Sequence, residues 1–169
     1  MSREGLPERP QAVSSEVFRR ACGRFATGIA IAGAMDANGV PHGLTVSSFA
    51  SVSLDPPLIS ICLGHAIAAI DVFRQARHFG LSILREDQRE ISERFAMRID
   101  DRFESIAWRR GDHGVPLLHG VLATMECETR HRVAAGDHDI FIGEMVRASV
   151  HAGAPLLHFS GEYGKLAID

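Results

Sequence analysis

This 169-residue sequence predicts a mainly β fold, an antiparallel barrel with helices inserted between its strands, on the strength of three observations. Apolar or alternating runs recur at 29–35, 40–52, 58–63, 78–84, 120–131, 139–150 and 156–160. Turn-forming residues separate many of them, Asp36-Ala37-Asn38-Gly39 and Asp55-Pro56-Pro57 among these. The helical patterns are few and sit between strands, without the regular strand–helix alternation of a parallel sheet. An apolar fraction of 46% suffices for one core, so one domain is expected over 14–169. Residues 1–13, with two prolines and several charges, read as a flexible arm.

Each element has a local reason. Ser14 is a helix cap, and Val17, Phe18, Ala21, Cys22 and Phe25 follow at helical spacing, with Gly28 ending the helix. The run 29–35 and the run 40–52 form a hairpin about Asp36–Gly39. Asp55-Pro56-Pro57 breaks the pairing before the short apolar strand 58–63. Residues 66–75 read as a helix and 78–84 as a strand, and Asp87 is expected to cap a helix running through Phe95. Between Arg85 and Arg110, 14 of 26 residues are charged, seven of each sign, the balance of a solvated helical face. Three further strands complete the barrel.

Composition excludes some functions. A net charge of -3 and a sequence pI near 6.3 argue against a nucleic-acid partner, which selects a basic stripe. Seventeen of the 18 basic residues are Arg, which fits a compositional bias as well as anion recognition. No apolar run approaches the ~20 residues of a membrane span, and MSREGLPERPQ has no apolar signal region, so a cytoplasmic location is expected. Cys22, Cys62 and Cys127 lack CxxC spacing and sit among apolar residues, which predicts buried free thiols.

The most informative segment is His42–Pro57, HGLTVSSFASVSLDPP. It holds five hydroxyl side chains, Thr45, Ser47, Ser48, Ser51 and Ser53, within nine residues. Small donors alternate with apolar residues, so one face can enter a core while the other presents hydrogen bonds. That describes either a solvated edge strand or a platform for a planar, polar ligand. Neither a Rossmann GxGxxG loop nor a P-loop is present, so any nucleotide cofactor needs another scaffold.

The order of motifs resembles the short-chain flavin reductases, the FMN-binding split-barrel family that supplies reduced flavin to two-component monooxygenases. The resemblance rests on Gly43-Leu44-Thr45-Val46-Ser47-Ser48-Phe49 with Ser51-Val52-Ser53 and Asp55-Pro56-Pro57-Leu58. It extends upstream to Arg20-Ala21-Cys22-Gly23-Arg24-Phe25-Ala26-Thr27-Gly28, and downstream to Gly136-Asp137-His138 and Gly161-Glu162-Tyr163. It implies a Greek-key-like split β-barrel and hydride transfer from NADH or NADPH to FMN or FAD. It also implies a homodimer and a flavin-dependent monooxygenase as partner. By the same resemblance the flavin ring lies across Thr45, Val46, Ser47 and Ser48, with Ser51 nearby. Cys62, Leu63, Gly64, His65 and Ala68 hold the ribityl and phosphate, although relatives commonly carry Ser or Thr where this chain has His65–Ala68. Ser82 stands where relatives have Asn against the flavin, and Ala96, Met97 and Arg102 approach its phosphate or adenine end. An ion pair of Arg102 with Asp100, Asp101 or Glu104 is the local alternative.

Resemblance also assigns His138 to the nicotinamide, with Gly28 leaving room for that ring and Phe159, Gly161 and Tyr163 flanking it. Hydride transfer needs two rings held in register and no protein nucleophile, so a hydrogen-bond donor to the carboxamide suffices. Asp137 and Asp139 are expected to orient the turn. A reductase that retains its flavin and feeds another acceptor, such as a cobalt corrinoid, fits the same residues, as does a non-catalytic flavin- or haem-binding module. Nine histidines invite a metal site around His131, Asp137, His138 and Asp139, but HExxH and Cys/His zinc spacings are missing, as is the GxSxG of serine hydrolases. Cys127 reads as a strand residue turned into the core.

Overall fold

The computed structural model describes residues 13–167. The arm expected over 1–13 therefore lies, apart from Val13, outside the described residues, as do 168–169 of the expected domain. Ser14 caps α1 (Ser15–Cys22), its hydroxyl accepting from the Val17 N–H at 3.3 Å. Gly23, not Gly28, ends that helix, because Thr27–Gly28 forms a short strand, β1. Then follow β2 (Ala30–Met35), β3 (Pro41–Val46), β4 (Ala50–Leu54) and β5 (Pro57–Gly64). In the β2–β3 turn the Asp36 carboxylate accepts from the Asn38 and Val40 N–H groups, and Gly39 takes a φ of 78°. Helix α2 is shorter than expected (Ile70–Gln75) and precedes β6 (His78–Ile83) and α3 (Arg89–Ala96). Asp87 does not cap α3. Gln88 occupies the cap position, its side chain drawn instead to the Arg85 N–H, and Asp87 pairs with Arg85 at 3.5 Å.

The remaining strands are β7 (Trp108–Arg110), β8 (Pro116–Leu118), β9 (Ala123–Ala135), β10 (His138–Val150), β11 (Leu156–Phe159) and β12 (Glu162–Lys165). One seven-stranded antiparallel sheet runs β3-β2-β6-β9-β10-β5-β4. Strands β3 and β4 stand at opposite ends of that order, yet only residues 47–49 separate them in sequence. The sheet must therefore roll until its edges nearly meet, which is the geometry of a barrel with a seam. The expected strand 40–52 is broken at this seam. Ser48 causes the break: its hydroxyl donates to the Cys62 carbonyl at 3.1 Å and accepts from the Cys62 N–H at 2.9 Å, taking the place of a strand backbone.

The barrel interior is filled from β2, β5, β6, β9 and β10 around Ile61, Leu63, Phe73, Phe79, Leu81 and Phe141. A second cluster joins Leu84, Phe95, Phe103 and Leu156 beneath α3, where the rings of Phe95 and Phe103 meet edge-on at 4.9 Å. Gly143 marks the tightest point: a Cβ there would lie 2.6 Å from Cζ of Phe79 and 2.9 Å from Cβ of Cys127. Neither neighbour has room to withdraw. Gly143→Ala is expected to cost about 1–3 kcal/mol, read as a lowered thermal midpoint, and an unchanged midpoint would refute the packing. The three thiols differ from the expectation of uniform burial. Cys22 is exposed, Cys62 half-buried, and only Cys127 enters the core, where burial pushes its thiol up to about 12.

Candidate functional site

The seam positions the candidate site. On one side of residues 45–49 lies a cleft of about 510 Å³, within the usual range for small-molecule sites. Thr45, Ala68, Ala96 and Arg102, four of the residues singled out in the sequence, line it together. Its floor is apolar, from Leu44, Ile67, Phe95 and Ile99, and one wall is the small-residue run Ala66-Ile67-Ala68-Ala69. The Thr45 hydroxyl donates to the Ser92 carbonyl at 2.6 Å, tying the seam to α3.

Arg102 forms no ion pair with Asp100, Asp101 or Glu104. Nε and Nη2 donate to the Met97 carbonyl at 2.9 and 2.6 Å, and Nη1 to the Gly43 carbonyl at 3.3 Å. Asp101 is occupied elsewhere, accepting from the Phe103 and Glu104 N–H groups. Carbonyls fix the guanidinium without neutralising it, so a positive charge is held at the cleft. Arg98, part of a charge run that the sequence assigns to a solvated helical face, also lines the cleft, as does Asp100, expected only as an ion-pair partner of Arg102.

A second hollow, about 340 Å³, lies further along the seam and brings Gly28 and Ser47 together with Phe25 and Phe49. A Cβ on Gly28 would meet nothing within 4 Å, so packing within the chain does not require glycine there. Val46, between the two faces, is buried in the core and offers the site only its backbone.

The end of β5 continues the arrangement. Cys62 is bound through Ser48, and Leu63 is wholly buried, backbone included, so Leu63 is not presented to a ligand there. His138 opens β10 opposite Gly64, with its Nε2 3.4 Å from where a Cβ on Gly64 would stand. Asp137 orients the ring, its Oδ1 2.7 Å from Nδ1, and the imidazole beside it holds the Asp137 carboxyl below the usual carboxylate range. His138 lines neither hollow, but stands at the strand end that borders the loop 65–69.

His65 is engaged by a group that the sequence reading gave only to turn geometry. Asp139 is buried, and its two oxygens meet Nε of Arg74 at 2.8 Å and Nε2 of His65 at 3.0 Å, with Nε of Arg132 at 4.0 Å. The bond from Arg74, then that from His65, holds its carboxyl below the usual range. A depressed carboxyl stabilises the fold at pH values above the unfolded-state pKa of ~3.9, and the contribution is lost as pH falls through the folded value. Asp139→Asn is therefore expected to lower the thermal midpoint at neutral pH, and to lower it by less at about pH 3. An equal loss at both pH values would contradict the pairing. The anchored loop leads into α2, whose first residue is Ile70, so no helix N-terminus lies at Ala66–Ala68.

Other expected contacts lie elsewhere. Ser82 is buried, its hydroxyl accepting from the Leu118 N–H at 3.0 Å, which makes its side chain a core bond between β6 and β8. Ser51 is exposed on the edge strand β4, and the Met97 side chain lines a groove on the far side of α3. Phe159, Gly161 and Tyr163 share a three-stranded sheet with Gly28, in the order β1-β11-β12. Ser160 and Gly161, at φ of 52° and 87°, make its tight turn. The Tyr163 hydroxyl lies 2.9 Å from that of Ser92, with the Arg89 guanidinium 5.0 Å from its ring centroid. Asp137 and Asp139 fall on different partners, and among the described residues no group of three or more His, Cys, Asp or Glu side chains converges as a metal site.

Comparison with known proteins agrees with this geometry. Residues 22–167 match the family described as flavin reductase like domain. Over 158 residues the chain is 39% identical to an NADH-dependent FMN reductase of Agrobacterium fabrum, covering 94% of this chain and 90% of that protein. Among solved structures, an NADH:FAD oxidoreductase of Streptomyces globisporus, solved with NAD and FAD fragments, superposes with a TM-score of 0.87. It is 32% identical, over 94% of this chain and 98% of that one. The styrene monooxygenase flavin reductase of Pseudomonas putida S12 superposes at 0.83 with 36% identity, over 90% and 98% of the two chains. Of some longer relatives the chain spans about half the length.

Proposed function

The chain belongs to the flavin reductase like domain family, and from that membership we propose that it is an NAD(P)H:flavin oxidoreductase supplying reduced flavin to a flavin-dependent monooxygenase. The observation that carries the reading is the seam itself, a donor-rich strand break with one hollow at Leu44–Thr45 and another at Ser47 and Phe49. Bound FMN or FAD supplies the hydride acceptor, and NADH or NADPH the donor. The residues present fit such a group. Arg102 holds a fixed cation for a phosphate, Ala68 and Ala96 leave room beside it, and Ser47 presents a hydroxyl at the opposite hollow. The open space before Gly28 is what an incoming flat ring needs.

Positioning is the work left to the protein. Thr45, tied to Ser92, fixes the segment that carries Ser47. His138, oriented by Asp137, offers its outer ring nitrogen as donor to a carboxamide. His138→Ala is expected to leave flavin affinity unchanged and to slow hydride transfer roughly tenfold to a hundredfold, the scale on which misplaced reactants lose rate. An unchanged rate would remove His138 from the site.

We also infer a homodimer. The apolar face of α1 is uncovered, with Val17 at 52% and Phe18 at 61% exposed, and Leu54 on edge strand β4 is 92% exposed. Such patches on an edge select a partner surface. Among the described residues no helix is long and apolar enough to cross a membrane. Steady-state oxidation of NADH or NADPH, with and without added FMN or FAD, tests the reading. Turnover that requires and saturates with flavin is expected, and absence of turnover with every donor–flavin pair would refute it.

A further inference from the structure

A third hollow, about 490 Å³, lies between the end of α1 and the β11–β12 turn and is distinctly cationic. Arg19, Arg20 and Arg24 line it with His158, and no carboxylate does. Among the described residues none of the three arginines is drawn into an ion pair, whereas seven of the other twelve described arginines are. The helix dipole accounts for basic residues in the last turn of α1. It accounts neither for Arg24, which lies beyond the helix, nor for His158 across the hollow. The walls are fixed to one another, because the Ser160 N–H donates to the Gly23 carbonyl at 2.9 Å. Three guanidinium groups on a few residues repel one another, and that arrangement suits a multiply charged anion. The volume exceeds what one small ion needs and is that of a nucleotide fragment.

The hollow adjoins the nicotinamide side of the site. His158 pairs with Thr27, and Leu157 beside it pairs with Gly28, so the His158 wall of the hollow and Gly28 stand one residue apart on the same short sheet. We propose that this hollow binds the adenosine end of the hydride donor, the arginines taking the ribose 2′-phosphate, so that the protein prefers NADPH to NADH. The inference rests on the reading of Gly28 and Phe159 as neighbours of the nicotinamide. Arg19 and Arg20 stand on the side of α1 away from Val17 and Phe18, so a partner subunit on the apolar face leaves the hollow open.

The test compares the wild-type protein with an Arg20→Ala/Arg24→Ala double variant, both at saturating flavin. Expected are a KM for NADPH below that for NADH in the wild type, and a rise of at least about tenfold in the variant's KM for NADPH. Its kcat and its KM for NADH are expected to stay within about twofold, as a purely structural defect would not allow. Calorimetric titration with 2′,5′-ADP and with 5′-AMP reads the hollow without turnover. Tighter binding of 2′,5′-ADP that is lost in the variant supports the proposal even if the protein oxidises neither donor, a result that would overturn the reductase reading alone. Equal KM values for the two donors in the wild type, or 2′,5′-ADP binding unaffected by the double substitution, would overturn the proposal.

Discussion

Phe141→Ala is expected to destabilise the fold by about 3–5 kcal/mol, the usual cost of emptying a large buried aromatic site. Phe141 is fully buried on β10, between β9 and β5, and its ring meets Phe73 of α2 edge-on at 6.3 Å. Two other features make collapse of the cavity difficult. Gly143, two residues along, is already in contact with Phe79, and Ile61, the register partner of Phe141 on β5, is itself wholly buried. Against a typical stability of about 5–15 kcal/mol the loss is a large share of the total. Denaturant unfolding checks it, and a loss below about 1 kcal/mol would show that this ring is not central to the barrel.

Ser47→Tyr is expected to weaken flavin binding by roughly tenfold to a hundredfold while leaving the melting curve near that of the wild type. Ser47 is exposed and lines the 340 Å³ hollow shared with Gly28 and Phe49, so a phenol ring there can occupy that hollow without disturbing the core. The magnitude follows from the ~1.5–3 kcal/mol that burial of one ring-sized apolar group contributes. Ser47→Ala is the control: it removes one hydroxyl and is expected to cost a few-fold at most. Fluorescence quenching of FMN and FAD measures both. Wild-type affinity in Ser47→Tyr would move the ring out of this hollow.

The sequence made the strands of the barrel legible because alternation and turn chemistry are local. The hairpin about Asp36–Gly39 and the Ser14 cap both follow from residues within four positions of one another. What local pattern did not reveal was decided at a distance. Alternation runs unbroken through 40–52, and the strand breaks only because Ser48 finds Cys62, fourteen residues on. Strands β7 and β8 have three residues each, too few to show a period, and β7 falls in the charged stretch.

The same distinction runs through the site. Thr45 and Ser47 were visible as a hydroxyl-bearing segment, and Arg102 as a lone choice between phosphate and ion pair. Its actual partners, the carbonyls of Met97 and Gly43, carry no signal in residue identity. Asp139 gave no sign of its role because His65 and Arg74 lie 74 and 65 residues away. The Ser82 hydroxyl, expected beside the flavin, accepts instead from the Leu118 N–H within the core. In α1 the amphipathic pattern predicts the helix as far as Cys22, but such a pattern says that a face needs cover without saying what covers it.

The reductase function proposed for this chain turns on one step, the passage of hydride from a reduced nicotinamide nucleotide to flavin. Anaerobic rapid mixing of the flavin-loaded protein with NADPH or NADH, followed by loss of the oxidised flavin's yellow absorbance, tests it most directly. Full bleaching is expected, at a rate that saturates with nucleotide and falls in His138→Ala. Flavin that binds yet stays oxidised with both nucleotides would contradict it.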